Sequence, residues 1–253
     1  MTVLHAILIL AAGLAAGTIN AVVGSGTLVT FPVLLGLGYS PLVANMSNNV
    51  GLAPGGVSGV VGYRHELGGQ RARALRLGAG SVAGGIVGAV LLMTLPASAF
   101  KAIVPAFIVL ALVGVVFQRR IARALVHRRP RGEHGGALTL GLVFVLGIYG
   151  GYFGAAQGIL LIAVLGLLVS DTLQRTNALK NVLASTVNTV AALAFVLFGT
   201  VDWGVAGLIA AGSIAGGQLG AHVGRRLPDA ALRALIVVVG CFALVKLWTG
   251  WPG

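Results

Sequence analysis

Apolar stretches of near bilayer-spanning length follow one another along the whole chain, separated only by short charged, prolyl or glycine-rich breaks. A water-soluble fold cannot cover that much continuous apolar sequence, whereas a helix crossing a bilayer needs about 20 such residues. Ten segments can be drawn, at approximately 3–23, 27–38, 42–62, 76–95 and 99–117, then 137–155, 158–170, 178–198, 204–223 and 233–250. Eight are long, but 27–38 and 158–170 are short; at 1.5 Å per residue a segment of about 12 residues covers only ~18 Å, so these two read as half-helices. Composition closes off the alternative of a soluble enzyme on an anchor. Of 253 residues, 57% are hydrophobic and 9% charged, against about 25% charged in soluble domains. The single cysteine, Cys241, excludes an intramolecular disulfide, a multi-cysteine zinc site and a cluster site. The expected fold is an all-α polytopic membrane protein.

The basic residues orient this map, because short cytoplasmic loops retain Lys and Arg. Taking each segment as a crossing, fifteen of the seventeen Lys and Arg fall on one side, leaving Lys101 and Lys246 on the other. That places both termini outside. It also makes 118–136, with Arg119, Arg120, Arg123, Arg128, Arg129 and Arg131, a basic cytoplasmic linker. Although the net charge is +12, no aromatic residues interleave this run, which favours a solvated loop near anionic lipid over a nucleic-acid site. No Lys or Arg precedes the first apolar run, which argues against a cleaved leader.

The halves repeat. Gly80-Ser81-Val82-Ala83-Gly84-Gly85-Ile86-Val87-Gly88-Ala89 matches the ten residues from Gly212 to Ala221 at seven positions, offset by 132, and the same offset pairs Asn45 with Asn177, Asn49 with Asn181 and Pro96 with Pro228. Nearer the start of each half, an offset of 134 pairs Gly13 with Gly147, Gly17 with Gly151 and Gly24 with Gly158. The division is then repeat 1 over 1–117, linker 118–136 and repeat 2 over 137–253. An odd number of crossings per copy inverts the second copy relative to the first, an arrangement used by many secondary transporters with a site near the midplane.

Two groups of residues can form such a site. The first is the glycine-rich break that opens each half: Asn20, Gly24, Ser25, Gly26 and Thr27, and Gly154, Gln157 and Gly158. Unwound backbone at membrane depth either lines a wet cavity or packs inside protein. In a cavity, free N–H groups at the start of each short helix would bind an anion; as packing, the Gly-xxx-Gly spacing brings helices close. The second is the polar start of each third segment: Asn45, Ser47, Asn48 and Asn49, and Asn177, Lys180, Asn181, Ser185 and Asn188. Positions 177, 181, 185 and 188 share a helix face, as do 45 and 49. Such faces turn inward, either to a substrate path or to interhelical hydrogen bonds. Lys180 serves as counter-ion to an anion or snorkels to the interface. His222 reads as interfacial.

No segment interior carries a carboxylate, so cation and metal transport lack obvious ligands, and no hydrolase motif is present. No cofactor or metal is expected. Partners are the bilayer and a small anion, not nucleic acid; homo-oligomerisation is left open.

These motifs resemble the TauE/SafE sulfite exporter family, also called TSUP. The resemblance rests on Gly24-Ser25-Gly26 through Pro32, on Gly150-Gly151-Tyr152-Phe153-Gly154-Ala155-Ala156-Gln157-Gly158, on Thr176-Asn177-Ala178-Leu179-Lys180-Asn181 with Asn188, and on Gly199-Thr200-Val201-Asp202-Trp203. Ser25, Thr27 and Ala156 stand where the family pattern has glycine, and Gln157 where a small hydroxyl residue is common. The resemblance implies a permease for sulfite, thiosulfate, sulfoacetate or a related organosulfur anion in a bacterial inner membrane. A non-transporting scaffold that recruits a partner through the basic linker, and a passive anion pore, are the rival readings.

Overall fold

The computed structural model describes residues 1–126 and 136–223, and beyond them 234, 236–238, 241, 242, 244 and 245. Among the described residues are nine α-helices and no strand: α1 (Val3–Val22), α2 (Thr27–Gly36), α3 (Pro41–Gly62), α4 (Arg71–Thr94), α5 (Ala97–Val126), α6 (Ala137–Tyr152), α7 (Gln157–Leu168), α8 (Leu173–Phe198) and α9 (Trp203–Val223). A 3₁₀ turn, Arg64–Leu67, joins α3 to α4. The described residues between 234 and 245 are helical as well. Among the described residues five helices are long and apolar enough to cross a bilayer: Val3–Val22, Arg71–Thr94, Ser98–Phe117, Leu173–Phe198 and Trp203–His222. At 22 residues α3 has the length too, but it carries Asn45, Ser47, Asn48 and Asn49 in its buried first half.

Helices outrun the apolar segments at their basic ends. Arg71, Arg73 and Arg76 lie within α4, Arg175 and Asn177 within α8, and α5 continues to Val126 into the stretch expected as linker. Charged residues are good helix formers in the interfacial layer, so the hydrogen-bonded ladder does not stop where hydropathy does. The arginines at 128, 129 and 131 lie outside the described residues, as do Pro228 and Lys246.

The two halves are inverted relative to each other. The start of α3 meets the end of α8, where Ser47 Oγ accepts the Asp202 N–H at 2.9 Å. The start of α8 meets the end of α3, where Arg175 donates to the Gly68 carbonyl at 2.9 Å. Equivalent helices therefore run antiparallel and cross near Gly56 and Ser185. At the Arg175 end, Asp171 binds Arg73 at 2.7 Å and Arg175 at 2.6 Å. This gathers the α3–α4 and α7–α8 connections on one basic face.

The core is built by exchange. Helix α1 packs on α9 of the other half, and α6 on α4. The repeated glycines make this possible: a Cβ on Gly216 would lie 2.1 Å from the Leu14 carbonyl oxygen, and one on Gly84 would lie 2.2 Å from that of Phe144. The neighbouring glycines serve a second interface, Gly217 against Gly55 and Gly59 of α3, and Gly85 against Val187 of α8. Each Gly-Gly pair thus lets one helix approach two others. Without a hydrophobic force between helices in lipid, such close contact carries the association.

These contacts also correct the expected alignment of the opening helices. Gly80, Gly84 and Gly88 face Leu140, Phe144 and Ile148, while Gly212, Gly216 and Gly220 face Leu10, Leu14 and Thr18. The counterpart of Leu14 is thus Phe144, an offset of 130 and not 134, one helical turn from the glycine matching. The backbone of the breaks agrees: Ile19 O accepts from the N–H groups of Val23 and Gly24, and Tyr149 O from those of Phe153 and Gly154. The change to 132 occurs in the short helices, 10 residues in α2 and 12 in α7.

Candidate substrate site

Both breaks occur where a glycine turns the chain out of the helix through a left-handed backbone, Gly24 at φ +86° and Gly154 at φ +73°. Ala156, at φ 58°, takes the same conformation without being glycine, a strained arrangement of the kind concentrated at functional sites. The two breaks touch. Gly158 N–H donates to the Gly24 carbonyl at 3.0 Å, and a Cβ on Gly24 would lie 2.4 Å from Gly158 Cα. Helices α2 and α7, too short to span, therefore start side by side in the buried interior.

Part of the backbone expected to bind an anion is already occupied. The Gly26 N–H donates to Asn20 Oδ1 at 2.6 Å, and that of Gly158 to Gly24. The N–H groups of Ser25 and Thr27 have no acceptor among the described residues. Both expected roles of the glycines are thus present, close packing at Gly24 and Gly158 and free donors at the first turn of α2.

A small cavity of ≈ 30 Å³ lies at this meeting point, enough for a couple of waters. Of the residues expected at a site, Asn20, Gly24, Thr27, Gly154, Gln157, Gly158, Asn181, Ser185 and Asn188 line it. The side chains of Ser185 and Asn188 make no hydrogen bond among the described residues, so their polar atoms remain available.

The cavity does not reach the other expected residues. Asn45 donates to the Tyr152 carbonyl at 3.0 Å, at the end of α6. Its counterpart Asn177 donates to the Ala21 carbonyl at 3.2 Å, at the end of α1. Each third helix thus caps the broken helix of the opposite half, whose last carbonyls have no intrahelical donor. Lys180 does the same: its Nζ lies 2.8 Å from the Asn20 carbonyl and 3.4 Å from that of Ala21. Fully buried, it does not snorkel, and its stem lies beneath Gly158. Asn48, at the pseudo-equivalent position, bonds Thr30 and, at 3.5 Å, Thr27. Ser47 holds Asp202. Gly26 packs against the Asn20 side chain, and the Ser25 hydroxyl and Asn49 Oδ1 are buried without a partner among the described residues.

Sequence reasoning missed Ala21, Gly55, Gly56, Gly59 and Ala184, which also line the cavity. The signal for the three glycines was available, since Gly56 stands where the second half has Asn188, leaving backbone on α3 opposite amides on α8. The cavity is one-sided. In the inverted position Gly55 and Gly59 become Val187 and Ala191, both fully buried. Phe31, Phe100, Phe107, Tyr149, Tyr152 and Phe153 form an aromatic cluster of mostly edge-to-face rings, Phe31 and Phe153 at 5.1 Å, with Phe107 stacked on Phe153. At the pseudo-equivalent positions, Leu161, Ile19, Val22 and Val23 stand in place of Phe31, Tyr149, Tyr152 and Phe153.

A protein-family model described as sulfite exporter TauE/SafE matches residues 9–247. The chain belongs to the TauE/SafE family. Among curated TauE/SafE-like relatives, the probable membrane transporter protein YfcA of Escherichia coli strain K12 is 26% identical over 233 residues, 92% of this chain and 85% of the relative. A probable membrane transporter protein of Haemophilus influenzae is 27% identical, covering 93% and 91%. Another, ORF9 of a Sinorhizobium species, is 27% identical, covering 92% and 88%. No solved structure matches. The protein is a multi-pass membrane transporter of this family. Among the described residues no cluster of His, Cys, Asp or Glu could hold a metal.

Proposed function

We propose that the chain is a secondary transporter for a small anion, in the class of sulfite, thiosulfate or a small organosulfonate, in a bacterial inner membrane. The observation that carries this reading is the pairing of two broken helices at Gly24 and Gly158 beside a cavity lined by amides, two hydroxyls and glycine backbone, with no carboxylate among its walls. Two features favour an anion there: the first turns of α2 and α7, whose dipoles point their positive ends at the cavity, and the Lys180 side chain packed beneath Gly158 behind it. The basic face bearing Arg64, Arg71, Arg73 and Arg175 is then cytoplasmic. Alternating access follows from one half rocking against the other about the α3–α8 crossing, with the aromatic-filled side closed and the cavity side thinner.

The test is flux into proteoliposomes of the purified protein for sulfite, thiosulfate, sulfoacetate and acetate. Saturable counterflow of at least one anion is expected. Absence of flux for all of them removes the small-anion reading, and a conductance that never saturates would indicate a pore.

A further inference from the structure

Two of the carboxamides lining the cavity are fixed by backbone carbonyls with their oxygens unbonded. Asn181 donates its Nδ2 hydrogen to the Ala21 carbonyl at 3.1 Å, and Gln157 donates from Nε2 to the Leu146 carbonyl at 3.0 Å. A carbonyl oxygen only accepts, so each amide nitrogen must occupy that place and each amide oxygen is the atom left over. Turning either group over would set oxygen against oxygen. Gln157 is further held by Gly150, where a Cβ would lie 2.3 Å from its Cδ, so the amide lies flat on bare backbone. Neither Asn181 Oδ1 nor Gln157 Oε1 accepts a hydrogen bond among the described residues, and both side chains border the cavity. Asn20 has the opposite polarity, because its Oδ1 accepts the Gly26 N–H and its Nδ2 remains a donor.

The cavity therefore presents two fixed acceptors as well as donors. A fully deprotonated oxyanion has only acceptors to offer. Facing Asn181 Oδ1 and Gln157 Oε1 it would meet oxygen lone pairs and leave two buried acceptors unpaired, which is the costly outcome for a desolvated polar group. We propose that the transported anion carries its own O–H or N–H donor, and that Gln157 and Asn181 select it against donor-free anions. This rests on the small-anion reading above and narrows it. The donor is either the residual proton of a hydrogen-bearing oxyanion or a hydroxyl on an organic sulfonate.

Uptake into proteoliposomes at one mildly acidic pH, with sulfite (present there as hydrogen sulfite), 2-hydroxyethanesulfonate, ethanesulfonate and sulfate, separates these cases. At subsaturating concentration at least one donor-bearing probe is expected to enter about tenfold or more faster than ethanesulfonate and sulfate. Preference for hydrogen sulfite alone assigns the donor to an acid proton, and preference for the hydroxysulfonate alone assigns it to a hydroxyl; either supports the proposal. Equal uptake of ethanesulfonate and 2-hydroxyethanesulfonate with no preference for hydrogen sulfite, or uptake of sulfate as fast as the donor-bearing probes, overturns it and leaves the small-anion reading standing. No uptake of any probe overturns both. Gln157→Met, which keeps length and removes the acceptor, should narrow the ratio between the two ethanesulfonates; the wild-type ratio decides the matter without relying on that variant folding.

Discussion

At the scale of single residues, asparagines that look alike in the sequence do different work. Asn49 and Asn181 are repeat partners, yet Asn181 borders the cavity and clamps the Ala21 carbonyl, whereas Asn49 is buried elsewhere. Asn181→Ala should therefore lower flux about tenfold or more, while Asn49→Ala should transport near the wild-type rate; initial rates in proteoliposomes check both. Asp171 is a second case. Burial by itself would raise its carboxyl, but hydrogen bonds from Arg73, Arg175 and the Thr172 N–H outweigh that and hold it below the usual carboxylate range. A depressed folded value means that the stabilisation is present at neutral pH and is lost as pH falls below about 4 through the lowered value. Asp171→Asn should cost about 1–3 kcal/mol at neutral pH and flatten the acid limb of a thermal-stability profile in detergent. A variant with the wild-type acid limb would show that other carboxylates set it.

At the scale of elements, glycine has two meanings that residue type cannot separate. Gly216 has no room, since a Cβ would reach backbone of α1, whereas Gly207 in the same helix has nothing within 4 Å. Gly216→Ala is expected to destabilise by about 1–3 kcal/mol through overpacking. Gly207→Ala should be neutral or gain up to about 1 kcal/mol from helix propensity. Thermal midpoints of the two purified variants are the measurement, and equal loss in both would mean that the α1–α9 contact is not the constraint. The glycine repeat was legible as a repeat because identical interfaces recur. Which opening glycines correspond was not, because Gly13, Gly17, Gly24, Gly147, Gly151 and Gly158 can be matched at several offsets, and only the contacts of α4 and α9 choose among them.

For the whole molecule, inversion and exchange set where everything lies. The basic connections at His65 and Leu173 belong to one face, and Ser40 and Thr200 to the other. On a Cys241→Ser background, His65→Cys and Leu173→Cys should react with an impermeant thiol reagent only from the cytoplasmic side, and Ser40→Cys and Thr200→Cys only from outside. Labelling of all four from one side would remove the topology. The asymmetry between the aromatic cluster and the cavity also belongs to this scale: both draw on the two repeats, and Phe31, Tyr149, Tyr152 and Phe153 have aliphatic counterparts within an otherwise repeated frame.

The sequence alone determined the environment and the class of fold, because hydropathy, charge placement and repetition are properties of residues along a line. It also assembled nine cavity residues, since the glycine breaks and the α8 polar face are local patterns. It could not tell lining from capping. Asn45, Asn177 and Lys180 have the chemistry of a binding site, and only tertiary structure assigned them to the ends of broken helices in the opposite half. The same holds for the polarity of Gln157 and Asn181: an amide can offer either end, and the carbonyls of Leu146 and Ala21, distant in sequence or brought near by a turn, decide which end is left unbonded.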